Sequence, residues 1–229
     1  MSVMFSALSK ALGQLPDPAL RRIVRFGVLG AVLCYLSLVA VVWLTLPHIQ
    51  FFDPGWADTG TGIALGIAAL VLPGLFFPAL VTTIMGVWLD DVADAVEGRH
   101  YPHLGAARPQ GWAEIVLGAL RFLGLTVLVN LLVLPLYLIL LFTGFSLVLA
   151  VLVNGYLLGR EYFDLVAVRR LDPAQAKVCY RNNLGRVWLG GMAIALMFAI
   201  PLFNLVAPVV ATAFMVHLFQ SLRRQIDLL

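Results

Sequence analysis

Two long stretches without a charged residue limit what this chain can fold into. They run from Phe26 to Pro47 and from Ile63 to Leu89. A helix that crosses the hydrocarbon core of a bilayer needs about twenty apolar residues, at about 1.5 Å of rise each. Both stretches reach that length, so each is predicted to be a membrane-spanning helix. The prolines at positions 73 and 78 predict a kink in the second helix.

Composition agrees with a membrane environment. Hydrophobic residues make up 62% of the 229 positions and charged residues 12%, with a mean hydropathy of +0.97. A soluble domain is about half apolar and about a quarter charged. The net charge of +3 is small, and we expect no nucleic-acid partner. No glycine-rich nucleotide loop, nucleophile elbow or zinc motif is present, so we expect no enzyme, no cofactor and no metal site.

Two later apolar regions differ from the first two. The regions Ile115–Leu158 and Val187–Leu218 are each interrupted near the middle by a proline, Pro135 and Pro201. Counted from the preceding arginine to the proline, each arm would rise only about 21–23 Å, whereas the hydrocarbon core is about 30 Å thick. We therefore predict two helical hairpins that penetrate the bilayer partway, with the prolines near their tips. The arms share an Arg, a Leu-Gly and a Pro-Leu, which indicates an internal repeat; chance similarity is the alternative.

The basic residues predict the orientation. The loop His48–Gly60 contains no Lys or Arg. If two spans are followed by two hairpins that enter and leave on one side, all 15 Lys and Arg fall on the opposite side from that loop. The positive-inside rule makes the basic side cytoplasmic, with both termini there.

The predicted fold class is an all-α integral membrane protein. It combines two long transmembrane helices, two hemi-penetrating helical hairpins with prolines at their tips, and an N-terminal amphipathic helix. We predict one membrane domain over residues 1–229. Its parts are the amphipathic helix 1–15, the first span 20–47, the second span with a cytoplasmic extension 61–98, the first hairpin 114–159, the basic connection 160–185 and the second hairpin 186–222.

An acidic segment follows the second span. Asp90–Asp94 reads D-D-x-x-D, a spacing with which some prenyl-transferring enzymes hold magnesium pyrophosphate. Such a site needs a second acidic cluster, for which the best candidate is Glu161 with Asp164. On a helix, however, Asp90, Asp94 and Glu97 share one face. We favour a solvated helix extension whose carboxylates pair with nearby arginines.

The start of the first span has the chemistry of an anion site. Asp17 is a suitable N-cap and Pro18 suits the first helical position. Arg21 and Arg22 then lie close to a helix start, where the dipole disfavours cations unless an oxyanion is bound there. Ordinary positive-inside anchoring is the alternative and needs no ligand.

Polar residues within the apolar regions are the candidates for a solute pathway. Each can instead bond across helices or to a carbonyl freed by a proline. Asn204, between two prolines, is the strongest candidate, and a neighbouring Arg and Glu at the end of the first hairpin could form a pair. The pathway candidates are Asn204, Asn130, Asn154, Arg160 and Glu161. His217 is a further polar residue within the apolar regions.

Three segments resemble the CysZ sulfate permease family, which is grouped with the etoposide-induced-protein-like membrane proteins. They are PALRRIVRFGVL, GREYFDLVAVRRL and IPLFNLVAPVVATAFMVHL. The resemblance implies two long helices, two hemi-penetrating hairpins, a homo-oligomer, and sulfate passage into the cytoplasm to feed cysteine synthesis. The family's sulfate-binding stretch corresponds to Ala19, Leu20 and Arg21, next to Arg22. Ala19 stands where the family has glycine.

The expected function is therefore an inner-membrane permease of a bacterium for sulfate or a related small oxyanion. Its partners would be the oxyanion, the lipid bilayer and further copies of itself. The alternative is a non-transporting membrane protein that binds anionic lipid or partner proteins, with Arg21, Arg22 and Arg25 contacting headgroups. A membrane prenyl-transfer enzyme built on the acidic segment is the third possibility.

Overall fold

A computed structural model describes residues 2–45, 62–64, 66–67, 77 and 79–226 of the chain. Over these residues the regular structure is helical and contains no strand, which confirms the all-α prediction. The helices are α1 (Ser2–Gly13), α2 (Pro18–Thr45), α3 (Leu89–His100), α4 (Trp112–Leu140), α5 (Phe145–Ala167), α6 (Pro173–Asn182), α7 (Leu184–Ala199) and α8 (Ala207–Ile226). Residues 79–86 are also helical. The loop at 48–60 and the kink predicted at positions 73 and 78 lie outside the described residues.

Two helices among the described residues are long and apolar enough to cross a membrane, Pro18–Val41 and Trp112–Leu140. The second has no buried residue, and large apolar side chains project from all around it. A helix that is apolar on every side needs an apolar environment, which lipid provides. The described part of the chain therefore has two candidate spans, one in the predicted first span and one in the predicted first hairpin.

The chain divides into two compact units, residues 21–88 and residues 1–20 with 89–229. In the first unit, α2 lies against the helical segment 79–86. Gly27 leaves no room for a side chain, because an added Cβ would come within 2.8 Å of the Cε atom of Met85. Next to Gly27, the ring of Phe26 stacks on that of Trp88 with centroids 6.5 Å apart. A small residue on one helix and a flexible one on the other thus allow close packing.

The second unit is built around α8, which is buried along almost its entire length. It contacts α1, α3, α5 and α7. The rings of Phe163 on α5 and Phe219 on α8 meet edge to face at 5.7 Å. Burial of apolar side chains against α8 removes them from water and so stabilises this unit.

Helices α5 and α7 make the closest helix contact of this unit, through glycines. A Cβ added at Gly159 would lie 2.6 Å from the carbonyl oxygen of Val187, and one added at Gly191 would overlap the carbonyl oxygen of Gly155. Gly155 and Gly159 are four residues apart, the small-x-x-x-small spacing that lets helix backbones approach. Sequence reasoning missed this contact, although the spacing in GYLLG was the available signal. It joins the second arm of one predicted hairpin to the first arm of the other.

The tips of the two hairpins differ. Pro201 lies in the turn between α7 and α8, as predicted, but the placement of Pro135 near a tip was wrong. Pro135 lies inside α4, and the turn follows at residues 141–144. Proline removes one helical hydrogen bond, which a membrane helix tolerates. The 29 residues of α4 rise about 43 Å, so a short first arm no longer supports partial penetration there. The depth of both hairpins stays a prediction.

Helix α1 packs on α8 through small residues. Ala7 and Ala11 are buried, whereas Phe5 is 66% exposed and Leu12 is 39% exposed. The other apolar side chains of this predicted amphipathic segment, Met4, Leu8 and Leu15, are partly buried. Exposed apolar side chains suit a helix that lies on a membrane surface, and this location of α1 stays a prediction. The single membrane domain and its internal boundaries also stay predictions.

Candidate functional site

The predicted anion site begins with the cap of α2. Pro18 is the first residue of the helix, as predicted, and Asp17 accepts a 3.0 Å hydrogen bond from the backbone amide of Ala19. The other carboxylate oxygen of Asp17 accepts a 2.6 Å hydrogen bond from Arg99 of α3. The Arg99 hydrogen bond, with the Ala19 amide, lowers the pKa of Asp17. A carboxylate of the chain itself therefore occupies the helix start where a bound oxyanion was expected.

The four predicted substrate-binding residues differ in accessibility. Leu20 is 1% exposed, so its side chain cannot face a ligand in solution. Ala19, Arg21 and Arg22 are exposed. The guanidinium of Arg22 lies 5.4 Å from the centre of the Phe26 ring, a cation–π distance. Among the residues of this stretch, the Arg21 guanidinium is the group best placed to attract an anion, and its role stays a prediction.

The three asparagines proposed for a pathway have different surroundings. Asn130 and Asn154 are exposed, and each donates to a carbonyl one turn earlier on its own helix, that of Thr126 at 2.8 Å and that of Ala150 at 2.9 Å. These bonds satisfy one donor of each amide without a second helix. Asn204 lies in the turn between α7 and α8, and its Oδ1 atom is buried without a hydrogen-bond partner. The group of Asn204 left without a partner is therefore an acceptor, and its place on a pathway stays a prediction.

Arg160 does not pair with its neighbour Glu161. Its Nε atom lies 3.6 Å from Asp164, one turn along α5, and its guanidinium lies 5.5 Å from the centre of the Tyr180 ring. Residues next to each other on a helix point in directions about 100° apart, so an i, i+4 partner is geometrically favoured over an i, i+1 partner. Glu161 is exposed. Its place on a pathway stays a prediction.

The acidic segment forms α3 and is held by two arginines from the turn after α5. The side chain of Arg169 is 5% exposed and contacts carboxylates on successive turns of α3. It reaches Asp90 at 3.0 Å, Glu97 at 3.4 Å, and Asp94. Burial alone would lower the pKa of Arg169, but the carboxylates outweigh burial and raise it. The favoured salt-bridged helix extension thus has its partners, and these carboxylates are engaged by a cation of the chain rather than left open for magnesium.

Arg170 extends this cluster to the loop after α3. It donates to both oxygens of Glu97, at 3.0 and 2.7 Å, and Glu97 is 3% exposed. Its Nη1 atom also lies 3.1 Å from each of three successive carbonyls, those of Leu104, Gly105 and Ala106. Arg170 therefore fixes both a buried carboxylate and a turn of the backbone. The sequence indicated basic partners for the acids in the 160–186 segment but not which of them.

His217 lies in a buried polar network. Its Nδ1 atom is 2.9 Å from the hydroxyl of Tyr101, and its Nε2 atom is 3.2 Å from Oε1 of Gln14. The side chain is 3% exposed, and the ring of His100 meets it at 4.9 Å. The two ring nitrogens of His217 are thus both engaged, and this histidine ties α8 to α1 and to the end of α3. The alternative of a structural bond across helices, weighed above, applies to it.

Comparison with known proteins gives a family but no individual relative. The model of the family described as "Sulfate transporter CysZ/Etoposide-induced protein 2.4" matches residues 7–208. No curated protein and no solved structure matches the chain.

Proposed function

The chain belongs to the family of the sulfate transporter CysZ and etoposide-induced protein 2.4, and on that premise we propose that it is a permease for sulfate or a related small oxyanion. It would act in a bacterial inner membrane and deliver the anion to the cytoplasm for cysteine biosynthesis. The observation that carries the proposal is the family match over residues 7–208, most of the chain. The fully exposed apolar helix α4 supports it, since such a helix requires lipid or other copies of the chain around it.

Arg21 would attract the anion at the first turns of α2. Its guanidinium presents several N–H donors in a planar fork, which matches the oxygens of a sulfate ion. Because the carboxylate of Asp17 already accepts from the Ala19 amide, the arginine would contribute more to binding than the helix start does. Arg22, held over Phe26, would add positive charge nearby.

Asn204 would then contact the anion within the turn between α7 and α8. Its side-chain amide offers N–H donors to an oxyanion, while irregular backbone at membrane depth is tolerated where it is buried in protein or lines water. The unpaired Oδ1 atom is an acceptor and gives an anion no partner, so the proposed contact depends on the Nδ2 donors alone. Asn130 and Asn154, which donate to their own helices, would contribute less.

The test is sulfate uptake by the purified full chain in liposomes. Labelled sulfate is followed in liposomes that contain the wild type, Arg21→Ala or Arg25→Ala, and in empty liposomes. Arg25 is an exposed arginine one turn further along the same helix and serves as the matched control. We expect uptake to require the protein, to fall about tenfold or more in Arg21→Ala, and to change little in Arg25→Ala.

Two outcomes would contradict the proposal. Correctly inserted protein that takes up neither sulfate nor other small oxyanions would exclude a simple permease and would favour the lipid- or partner-binding alternative. Uptake that is equal in Arg21→Ala and wild type would retain the permease but remove Arg21 as its entry site.

A further inference from the structure

The unit that contains α1 and α8 has a partly open cavity of about 330 Å³ with both polar and apolar lining residues. Side chains of α1 form one wall of the cavity and side chains of α8 form the other. Tyr101, which follows α3, also lines it. Its polar lining consists of Ser6, Lys10, Tyr101, His217, Gln220 and Ser221. The volume is in the range of small-molecule sites, about 300–1,000 Å³.

Two buried amide nitrogens in this region lack hydrogen-bond partners, that of Gln220 on the cavity lining and that of Gln14, which is not part of the lining. Gln220 lines the cavity, is 4% exposed, and has an unpaired Nε2 atom. Gln14 is also 4% exposed, and its Nε2 atom is unpaired although its Oε1 atom bonds His217. Nearly all buried N–H donors in folded proteins are satisfied, so an unpaired one calls for a partner such as a ligand or a water molecule. Both unpaired atoms are donors, which select for an acceptor.

The charge of the lining selects for an anionic acceptor. Lys10 is exposed, and its ammonium has no ion pair within the described residues. Among the residues that the structure describes, no Asp or Glu lines the cavity. His217 is already engaged by Tyr101 and Gln14, and the Ser221 hydroxyl donates to the Leu218 carbonyl at 2.6 Å. The groups left for a ligand are therefore a cation and amide donors.

We propose that this cavity is an oxyanion-binding site, separate from Arg21, in which Lys10 and Gln220 hold a sulfate- or phosphate-type group. The group can come from a free inorganic anion or from the headgroup of an anionic lipid. Exposed apolar side chains of α1, such as Phe5 at 66% exposure, would let this helix lie on the membrane surface. The cavity beside α1 would then be close to lipid headgroups. The site does not depend on transport, so its test is independent of sulfate uptake.

The first test is anion binding to the purified full chain in detergent. Inorganic sulfate and inorganic phosphate are titrated by calorimetry, with chloride at matched ionic strength as the blank. The variants are Lys10→Met and Gln220→Leu, with Lys10→Arg as the conservative replacement. Lys177→Met, at an exposed lysine of α6, is the matched control.

We expect about tenfold weaker binding in Lys10→Met and in Gln220→Leu, because each loses a charge-assisted hydrogen bond. Lys10→Arg should retain most of the affinity, and Lys177→Met should leave the affinity unchanged. Without anion, Gln220→Leu should melt no lower than the wild type, since it removes an unpaired buried donor. A melting temperature that does not fall would show that the variant is folded.

The second test separates the two sources of the anion. Thermal melting is followed in nanodiscs of phosphatidylcholine with and without phosphatidylglycerol. Stabilisation by phosphatidylglycerol that needs Lys10 and Gln220, with no effect of the free ions, would assign the site to a lipid headgroup. Binding of the free ions that needs both residues would assign it to a soluble anion. If no anion effect of either kind depends on Lys10 and Gln220, the proposal is wrong.

Discussion

The carboxylate of Asp17 accepts a 3.0 Å hydrogen bond from the backbone amide of Ala19, at the start of α2. Its second oxygen is bonded to Arg99 at 2.6 Å. The helix start that was expected to hold an oxyanion thus already holds one, supplied by the chain. An arriving sulfate would meet this negative charge within the first turn of the helix that carries Arg21.

Asp17→Asn should therefore strengthen sulfate binding. Asparagine keeps the N-cap but removes the negative charge, and two unit charges about 4 Å apart interact by about 1 kcal/mol in water and more near a protein surface. We expect sulfate affinity to rise at least about fivefold. Calorimetric titration of the purified variant measures this. Asp91→Asn, at an exposed aspartate of α3, is the control, and unchanged affinity in Asp17→Asn would place the sulfate site away from this helix start.

Loss of Arg169 should destabilise the second unit. Arg169 is 5% exposed and contacts Glu97, which is 3% exposed. Removing one partner of a buried ion pair costs about 3–5 kcal/mol because the other charge remains buried. Arg170 retains its bonds to Glu97, so we expect Arg169→Met to fall near the lower end of that range. Thermal melting in detergent checks this.

The exposed Arg181 of α6 supplies the matched control for that measurement. Arg181→Met should change the stability by less than about 0.5 kcal/mol, as surface substitutions usually do. Equal melting temperatures for Arg169→Met and Arg181→Met would show that the arginine–carboxylate cluster contributes nothing measurable.

A side chain at Gly191 should separate α5 from α7. The Cβ of Gly191→Ala would overlap the carbonyl oxygen of Gly155, which is backbone and cannot rotate away. Overpacking of this kind costs about 1–3 kcal/mol. Gly185→Ala in the same helix has nothing within 4 Å of the added Cβ, and it should stabilise the helix by up to about 1 kcal/mol. Melting temperatures that shift in the same direction for the two variants would refute the close crossing.

Stability should fall when the pH drops below the ordinary pKa of histidine. Burial, with the charges of Arg99 and Lys10, lowers the pKa of His100 below 6.5. The folded chain therefore holds this proton less tightly than the unfolded chain does. The contribution of His100 is complete above pH 6.5 and is lost as the pH falls from there through the lowered pKa. His100→Gln should reduce the change in melting temperature between about pH 7 and pH 5.

His217, whose ring lies 4.9 Å away, is still present in that variant and can account for part of any pH dependence that remains. A pH profile identical to that of the wild type would mean that His100 has the same pKa in the folded and unfolded chain.

Several features followed from the sequence because their causes are local. The charge-free run from Phe26 to Pro47 predicted a membrane helix, and α2 is long and apolar enough. The other candidate span, α4, was predicted as one arm of a hairpin instead. Asp17 and Pro18 predicted the start of α2, since a cap acts within three residues. The spacing of Asp90, Asp94 and Glu97 predicted that the three acids share one face of a helix, and Arg169 contacts all three. The family resemblance, carried by three short segments, was confirmed by the match over residues 7–208.

Other features depended on residues that are distant in sequence. Arg169 and Asp94 are 75 positions apart, and His217 and Gln14 are 203 apart. No local signal distinguishes Arg169 from the other arginines of its segment, because only the packing of α3 beside the turn after α5 decides which guanidinium arrives. Pro135 shows the converse, since α4 continues through a residue that usually interrupts a helix. The sequence by itself determined the helices and their chemistry, whereas the tertiary structure decided which polar groups meet and which, like the Gln220 amide, are left without a partner.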